Sequence, residues 1–377
     1  MLNADQLARV AALRRRLHDC PERSGHEVRT KSEIAAFLRE NTSLQVCDMG
    51  AWLLARRVEG EDLPWWGLRA DMDALPVEGM ACDARHEADA RHGADARHGC
   101  GHDGHSAALC GLALALEGRR VGRNLCLIFQ GAEETGEGAR AVCDGWDDLE
   151  RLERVYALHN IPGFPRGAAL VRRGCFACAS CGLSVRVTGR PAHAAYPGDG
   201  ANPIELLSRL ALETPEMIDG ILAGDDRLLM RTLIGLNAGG DNFGLSASAG
   251  TLNLTLRGHR QADIDALIER IKARAMAGCA AQGMACAFEL RDVFPDTTND
   301  DAVVAEALPR LRDAGLRVVE LGEPMRWSED FGWFLRRVPG MYFGIGAGED
   351  APGLHTAEYE FDDALIAPAV RAFEALL

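Results

Sequence analysis

The sequence predicts an α/β protein: a mostly parallel sheet flanked by helices, with an inserted smaller α+β domain suited to a lid or dimerisation role. Through the first half of the chain, apolar segments typical of buried strands alternate with segments of helical spacing, which favours a parallel sheet covered on both faces. From about residue 179 the strands alternate apolar and polar residues, as strands with one exposed face do. After about residue 293 the first pattern returns.

The first part of the chain provides the elements of the larger domain. Apolar residues recur at helical spacing in some segments and gather into short buried strands in others. The predicted helices cover Asp5–His18, Glu27–Glu40 and residues 105–117, and the predicted strands cover Trp65–Leu75, Asn124–Gln130 and Arg154–His159. Because ligands bind at the carboxyl ends of parallel strands, we expect the side chains that follow these strands to form a site.

The middle of the chain predicts the smaller domain. Its strands are expected at Gly182–Gly189, Gly250–Gly258 and residues 285–292, and its helices at residues 202–221 and Gln261–Gly278. Helices near residues 300–313 and 363–377 then resume the larger domain. We therefore expect a larger domain split between residues 1–178 and 293–377, and an inserted domain over residues 179–292.

Composition and charge exclude several classes of partner. The chain has 377 residues, of which 47% are hydrophobic, enough for a sizeable core. A net charge of −15 repels phosphate backbones and anionic lipid, so we expect neither nucleic acid nor a membrane as a partner. No apolar run is long enough to span a bilayer, and the N-terminus lacks the pattern of a signal peptide. The 12 cysteines are therefore expected to be mostly reduced thiols in the cytoplasm.

Residues 98–105 contain the densest cluster of metal-ligand side chains, reading His-Gly-Cys-Gly-His-Asp-Gly-His. Thiolate and imidazole suit zinc and its first-row neighbours, and glycines let the backbone bend until ligands converge. A solvated, histidine-rich surface loop is the alternative. The cluster ends a run of three near-copies of a hexapeptide over residues 83–100, which we interpret as a duplicated surface loop with His86 and His92 facing solvent.

Paired carboxylates follow the apolar strand 124–130. Glu133 and Glu134 point in different directions as chain neighbours, so one can bind a metal while the other accepts a proton from water. A solvated acidic turn is the alternative, and His159 and His355 are each ambiguous when taken alone. The candidate ligands are Cys100, His102, Glu134, His159 and His355. This number is ample for two metals that share a ligand.

Five motifs occur in order along the chain: Gly67-Leu68-Arg69-Ala70-Asp71-Met72-Asp73-Ala74-Leu75-Pro76, Cys100-Gly101-His102-Asp103-Gly104-His105, Gln130-Gly131-Ala132-Glu133-Glu134, Gly189-Arg190-Pro191-Ala192-His193-Ala194-Ala195 and Ser328-Glu329-Asp330-Phe331. As an ordered set they resemble the two-metal aminoacylase/carboxypeptidase-type metallopeptidases. The amidohydrolase branch, with hippurate hydrolase, N-acyl-amino-acid amidohydrolases and indole-acetyl-amino-acid hydrolases, is the most similar. The resemblance covers nearly the whole chain.

The resemblance implies a role for each candidate in the larger, metal-binding domain. The positions that match ligands of two divalent metal ions are Cys100, His102, Glu134, His159 and His355. Zinc, manganese, cobalt and nickel are all candidate metals. Glu133 matches the general base. Asp73 matches a carboxylate that orients a ligand histidine by fixing its tautomer and ring position.

In the inserted domain, the resemblance implies roles for three residues and a homodimer or higher homo-oligomer. His193 matches a histidine that reaches the active site of the partner subunit and polarises the scissile carbonyl. Asn242 and Arg257 are expected to contact the substrate carboxylate. The chain departs from the family where Asn-Val-Ile-Pro is usual and Asn242-Phe243-Gly244-Leu245 stands, and where Gly131 replaces a common proline. The first departure leaves the preferred acyl or amino-acid group open.

The resemblance implies an enzyme that hydrolyses the amide bond of small N-acyl or N-aroyl amino acids to a carboxylic acid and a free amino acid. A dipeptidase or aminopeptidase on the same scaffold is one alternative. A metal-binding or ligand-binding protein without turnover is another, against which the full set of ligands and the intact base argue. A zinc-stabilised structural protein is a weaker alternative still, because structural sites use closed four-ligand sets from short loops.

Overall fold

The structure is a computed structural model that describes residues 2–76 and 96–377. Most of the duplicated hexapeptide, with His86 and His92, lies outside the described residues. The chain divides into two compact units. Unit 1 comprises Met1–Phe176, Thr297–Pro324 and Glu329–Leu377, and unit 2 comprises Ala177–Asp296 and Met325–Ser328.

Unit 1 is built around a sheet in which the described residues form eight strands. In spatial order these are β1 (Gln45–Asp48), β2 (Trp52–Arg57), β6 (Asn124–Gln130), β3 (Trp65–Asp71), β7 (Leu152–Pro162), β16 (Gly340–Gly348), β8 (Ala169–Val171) and β15 (Val318–Glu320). The four central strands run parallel, with Gly67 opposite Cys126 on one side and Val155 on the other. Antiparallel pairs occur only toward the edges of the part described. The predicted mostly parallel sheet is confirmed.

Short pairings and helices complete unit 1. The two-stranded pairs are β4 (Leu75–Pro76) with β5 (Ala96–Arg97) and β9 (Gly174–Ala177) with β14 (Thr297–Asn299). The helices are α1 (Ala4–His18), α2 (Val28–Asn41), α3 (His102–Ala115), α4 (Gly138–Gly145), α7 (Asp301–Asp313), α8 (Gly332–Leu335) and α9 (Ile366–Leu376). Helix α3 is buried along its whole length, so it needs small residues: a Cβ on Gly111 would lie 3.0 Å from a methyl group of Val370.

One helix begins earlier than the sequence predicts. The helix expected over residues 105–117 starts at His102, inside the cluster of metal-ligand side chains. Gly101 precedes it in the left-handed conformation, with φ at 92°, which a residue with a side chain rarely adopts. The turn therefore places Cys100 just before a fully buried helix and His102 at its first residue.

Unit 2 is a four-stranded antiparallel sheet with two helices. The strand order is β11 (Leu229–Ala238), β12 (Ala249–Gly258), β10 (Ala179–Thr188) and β13 (Ala285–Phe294), and the helices are α5 (Pro203–Leu222) and α6 (Gln261–Gln282). Leu183 pairs with Leu254 and Val185 with Leu252, and these four side chains are buried against the helices. The alternation in β10 and β12 thus gives one covered face. Strand β11 was not predicted from the sequence.

No helix in the described parts of the chain combines the length and the apolar composition needed to cross a membrane.

Candidate metal centre

The carboxyl ends of the central strands of unit 1 carry the predicted site. Asp73 follows β3, Glu133 and Glu134 follow β6, His159 lies in the last part of β7, and His355 lies in the loop after β16. Since the four strands are parallel neighbours, the segments that follow them meet at one edge of the sheet. The sheet topology brings together side chains that are distant in the sequence.

Cys100 lies at the middle of the cluster. Its Sγ is 3.3 Å from Nε2 of His159 and 3.3 Å from Nε2 of His355. The ligand atoms of Cys100, His102 and His159 lie within 4.8 Å of one another, and so do those of Cys100, Glu134 and His355. The two groups share one thiol, as expected for two metal ions bridged by a common ligand.

Unpaired polar atoms in the cluster test whether these residues fit divalent metal ions. Nε2 of His102 and Oε1 of Glu134 are buried and have no hydrogen-bond partner in the described structure. They lie 3.8 Å apart, and the same Glu134 oxygen is 3.7 Å from Nε2 of His355. Two ligands of one tetrahedral ion are about 3.4–3.6 Å apart. The donor atoms therefore fit, and coordination would satisfy groups that are otherwise costly to bury.

Hydrogen bonds fix the rings of two candidate ligands. Nδ1 of His102 lies 3.1 Å from the backbone oxygen of Asp73 and 3.2 Å from its Oδ1. Nδ1 of His159 lies 2.7 Å from the backbone oxygen of Asn160. Because these oxygens accept the Nδ1 proton, Nε2 of each ring keeps its lone pair toward Cys100 and its neighbours. Asp73 thus has the orienting contact that the resemblance implies.

Burial and neighbouring charges together set the electrostatics of the cluster: burial lowers the pKa of His102, but the charges of Asp71 and Cys100 and the hydrogen bond with Asp73 raise it well above its ordinary value. Cys100, His102 and His159 are 5%, 1% and 4% exposed, whereas His355 is exposed. Burial, together with the charge of Glu134, raises the pKa of the Cys100 thiol well above its usual range. Burial also raises the pKa of Glu134 to about 7 and lowers the pKa of His159 well below its ordinary value. A neutral imidazole is the form that binds a metal.

Glu133 lies beside the candidate ligands. Its Oε2 is 3.9 Å from Nε2 of His102, and its Oε1 is 3.4 Å from the backbone nitrogen of Asp330. Burial raises the pKa of Glu133 well above its usual range, and the carboxylates of Glu329, Glu134 and Asp330 raise it further. A buried carboxylate with a raised pKa is suited to accept a proton near neutral pH.

The third imidazole of the loop lies below the cluster. Nδ1 of His105 is 2.6 Å from Oδ1 of Asp71, and its Nε2 contacts Oδ1 of Asn160. Asp71 accepts a hydrogen bond from Arg69 at 2.6 Å. These four residues are buried, so their hydrogen bonds form a fixed network next to the candidate ligands. His98, also buried, has no hydrogen-bond partner in the described structure.

Three of the ten residues predicted from the sequence lie in unit 2. His193 is exposed and forms an isolated β-bridge with Leu245. Asn242 is exposed, and its Oδ1 accepts a hydrogen bond from the backbone of Gly244 at 3.0 Å. Arg257 lies in β12, is half-buried, and donates to the backbone oxygen of Arg326 and to Oγ of Ser328. The other seven lie together in unit 1.

Two residues outside every motif contact this centre. Oγ of Ser24 donates to Oδ2 of Asp73 at 2.7 Å, and Oε1 of Glu27 accepts from the backbone nitrogen of Ala132 at 2.8 Å. Neither contact has a local sequence signal, because the partners are 49 and 105 positions apart.

Comparisons with known proteins find a family and relatives that match most of the chain. The family model described as Peptidase family M20/M25/M40 matches residues 67–377. An N-acetyldiaminopimelate deacetylase from Lacticaseibacillus casei is 27% identical over 384 residues, covering 97% of this chain and 96% of that protein. An N-acetyl-L-cysteine deacetylase from Bacillus subtilis is 27% identical over 372 residues, covering 96% of this chain and 85% of that protein.

A solved structure shares the fold. A Bacillus subtilis protein described as a dinuclear metal binding peptidase of the M20 family superposes with a TM-score of 0.79. The two sequences are 23% identical, and the superposition covers 99% of this chain and 98% of that one.

Proposed function

The chain belongs to peptidase family M20/M25/M40, and we propose that it hydrolyses the amide bond of N-acyl amino acids to release a carboxylic acid and a free amino acid. The observation that carries the proposal is the pair of ligand groups sharing Cys100, with the Glu133 carboxylate beside them. Two relatives that match nearly this whole chain are named as deacetylases of N-acetylated amino acids.

We propose that the ligand groups hold two divalent ions, with zinc, manganese, cobalt and nickel as candidates. The residues that would hold them are Cys100, His102, Glu134, His159 and His355. Bound there, the ions supply positive charge that polarises the amide carbonyl and makes a water molecule more acidic. The protein supplies the rest: it holds the imidazole Nε2 atoms in place through Asp73 and Asn160, and it keeps the site largely buried.

Glu133 is assigned as the proton carrier. Its carboxylate takes a proton from the attacking water and delivers it to the leaving amine, so one side chain serves both half-reactions. Its position beside His102 and Glu134, and its raised pKa, support this assignment. Of these two adjacent glutamates, Glu134 is assigned as a metal ligand and Glu133 as the base, because Oε1 of Glu134 lies near Nε2 of both His102 and His355.

Arg257 and Asn242 are assigned to the substrate carboxylate. The guanidinium of Arg257 donates to neutral oxygens only, and no carboxylate of the described residues pairs with it. A half-buried positive charge without a protein counter-charge is suited to an anionic ligand. His193 is assigned to the carbonyl oxygen of a substrate bound in the partner subunit, where a donor stabilises the charge that develops.

A homodimer supplies the partner subunit for His193. We propose that a second copy binds at the edge of the unit 2 sheet, where β11 pairs only with β12 among the residues that the structure describes. The exposed apolar side chains there are Leu212, Leu233, Ile234 and Leu236. An exposed apolar edge strand is otherwise prone to aggregation, and pairing with a second copy would cover it.

The cellular location that we propose is the cytoplasm. Cys100 is a free thiol and a candidate ligand, and a reducing compartment keeps such a thiol reduced.

Amine release from a panel of substrates tests the proposal. The panel contains N-acetyl, N-benzoyl and N-indoleacetyl amino acids and unmodified dipeptides, assayed with manganese or zinc and again after chelation. We expect chelator-sensitive cleavage of the acylated amino acids. Cleavage of dipeptides alone would instead favour the peptidase alternative on the same scaffold, and metal binding with no cleavage would favour a protein without turnover.

Replacing the base gives the sharper test. Glu133→Gln is expected to retain metal and to lose most turnover, because the amide cannot accept the proton. Glu137→Gln, an exposed glutamate of the same turn, is the matched control and should keep turnover. Undiminished turnover in the Glu133 variant would overturn the assignment.

A further inference from the structure

The segment Glu22–Glu27, between α1 and α2, contacts two turns of unit 1: the turn after β3, which contains Asp73, and the turn after β6, which contains Glu133. The backbone oxygen of Glu22 accepts from the nitrogen of Ala74 at 2.9 Å, and Arg23 forms a parallel β-bridge with Ala74. Oγ of Ser24 donates to Oδ2 of Asp73 at 2.7 Å. The segment therefore lies directly against the turn after β3.

The same segment is fixed to the helix that follows it. The Glu22 carboxylate accepts from the backbone nitrogens of Arg29 and Thr30 at 3.1 and 2.9 Å, and from Oγ1 of Thr30 at 2.9 Å. Carboxylate acceptors at a helix N-terminus satisfy donors that the helix itself leaves unpaired. The segment is thus a rigid support for the side chains that it carries.

Glu27 contacts the second turn. Its Oε1 accepts hydrogen bonds from the backbone nitrogens of Gly25 and Ala132, both at 2.8 Å, and the residue is only 4% exposed. Ala132 has φ at 54°, in the left-handed region that is unfavourable for a residue with a side chain. Ala132 immediately precedes Glu133. A strained residue beside the base is held by a carboxylate from another part of the chain.

The Glu27 carboxylate also occupies space that a side chain at position 131 would need. A Cβ placed on Gly131 would lie 2.6 Å from the carboxyl carbon of Glu27, closer than real contacts allow. Gly131 is therefore the residue that lets the carboxylate reach the nitrogen of Ala132. The contact therefore depends on both residues, Gly131 and Glu27, which lie on different segments of the chain.

We propose that Glu27 is a positioning residue: by binding the backbone of Ala132 it sets the conformation of the turn Gly131–Glu133 and hence the place of the Glu133 carboxylate. This inference rests on the proposed role of Glu133 as the base. The hydrogen bonds of the Glu27 carboxylate that carry this inference are to the backbone nitrogens of Gly25 and Ala132 and not to a candidate ligand. Glu27 therefore acts through the turn. Its effect is expected on turnover rather than on metal content.

Two single variants break the contact from opposite sides. Glu27→Ala removes the acceptor, and Gly131→Ala displaces the carboxylate while leaving it in the chain. Each should lower kcat by about 10- to 100-fold with KM and metal content unchanged, the range found when residues that orient a site are replaced. Because both break one contact, the double variant should be no worse than the poorer single variant. Glu27→Gln keeps the Oε1 acceptor and should restore most of kcat.

Amide hydrogen exchange gives a readout that does not depend on turnover. The amide of Ala132 should be protected in the wild-type protein and in Glu27→Gln, and should exchange faster in Glu27→Ala and Gly131→Ala. Peptides covering residues 131–137 report this by mass spectrometry.

Glu59 provides a matched control. Its side chain is 4% exposed, and its carboxylate accepts from the backbone nitrogens of Val121 and Gly122 at 3.0 and 2.9 Å, at the amino ends of the strands. Glu59→Ala should destabilise the protein and leave kcat unchanged. An equal loss of kcat in the Glu59 and Glu27 variants, or unchanged kcat in Glu27→Ala despite faster exchange, would overturn the inference. Wild-type turnover in Glu133→Gln would instead refute the assignment of Glu133 as the base, and no amide cleavage by the wild-type protein would refute the proposed function itself.

Discussion

Replacing Arg69 by methionine should be among the most destabilising changes in unit 1. The guanidinium is fully buried and donates to Asp71 at 2.6 Å, Gln130 at 2.9 Å and Asp330 at 2.8 Å, and it lies 3.1 Å from Glu329. It thus joins β3, β6 and the segment before α8. Methionine fills a similar volume, so the variant removes charge and hydrogen bonds with little change in packing.

The expected magnitude follows from the charges left behind. Asp71, Glu329 and Asp330 are each 0–1% exposed and would lose their common cation. Breaking a buried ion pair by removing one partner costs about 3–5 kcal/mol, since the remaining charge stays desolvated. We therefore expect at least this loss in the free energy of unfolding of unit 1. That is a large part of the roughly 5–15 kcal/mol that stabilises a typical domain.

Urea unfolding followed by tryptophan fluorescence measures the effect, because five of the six tryptophans lie in unit 1. The control is Arg186→Met in unit 2, whose partner Glu289 is 2.7 Å away while both side chains are 57% and 36% exposed. An exposed pair of this kind contributes less than about 1 kcal/mol. A loss below that value for the Arg69 variant, or equal losses for both, would refute the reasoning.

Two further predictions concern a half-buried ion pair and the proposed dimer. Asp103, 2.8 Å from His18, raises the pKa of His18 through their hydrogen bond, so the pair stabilises the fold below about pH 6.5 and this stability is lost as pH rises through the raised pKa. His18→Leu should therefore cost about 1 kcal/mol near pH 6 and less near pH 9 in urea titrations, and a larger cost at high pH would contradict this. Mixing inactive His193→Ala and Glu133→Gln subunits should restore about a quarter of wild-type activity if His193 acts in the partner subunit, because half the dimers are mixed and each has one complete site. No restoration after verified subunit exchange would assign His193 to its own subunit.

The sequence predicts the helices and strands whose apolar residues follow a simple pattern. It does not predict a strand in which glycines let neighbouring backbone segments pack closely. Strand β6 was predicted with its observed bounds because it is a continuous apolar run. Strand β16, a central strand of the same sheet, was not predicted, because four of its nine residues are glycine. A Cβ on Gly340 or Gly346 would collide with the backbone oxygen of Val155 or Pro165. Glycine here permits close backbone packing, whereas its usual association is with turns.

The candidate site shows the same division. Spacing and residue type suffice to propose Cys100, His102 and Glu134, since chemistry restricts what binds a metal. The supporting contacts of Ser24 and Glu27 could not be predicted, because each joins one side chain to a group far along the chain and leaves no periodic trace. Ligands can be recognised from their chemistry, but the contacts that place them depend on the fold.

Asp73 is where these contacts converge, and it contacts more than one histidine. Its Oδ1 lies 3.2 Å from Nδ1 of His102, and its Oδ2 accepts from Oγ of Ser24 at 2.7 Å and from the backbone of Glu134 at 3.0 Å. Hydrogen bonds from these groups hold its pKa below the usual value although burial opposes this, so it stays charged. One carboxylate therefore links the loop of His102, the N-terminal segment and the turn of Glu134. Through this carboxylate the N-terminal segment contacts the candidate site, although the family match begins only at residue 67.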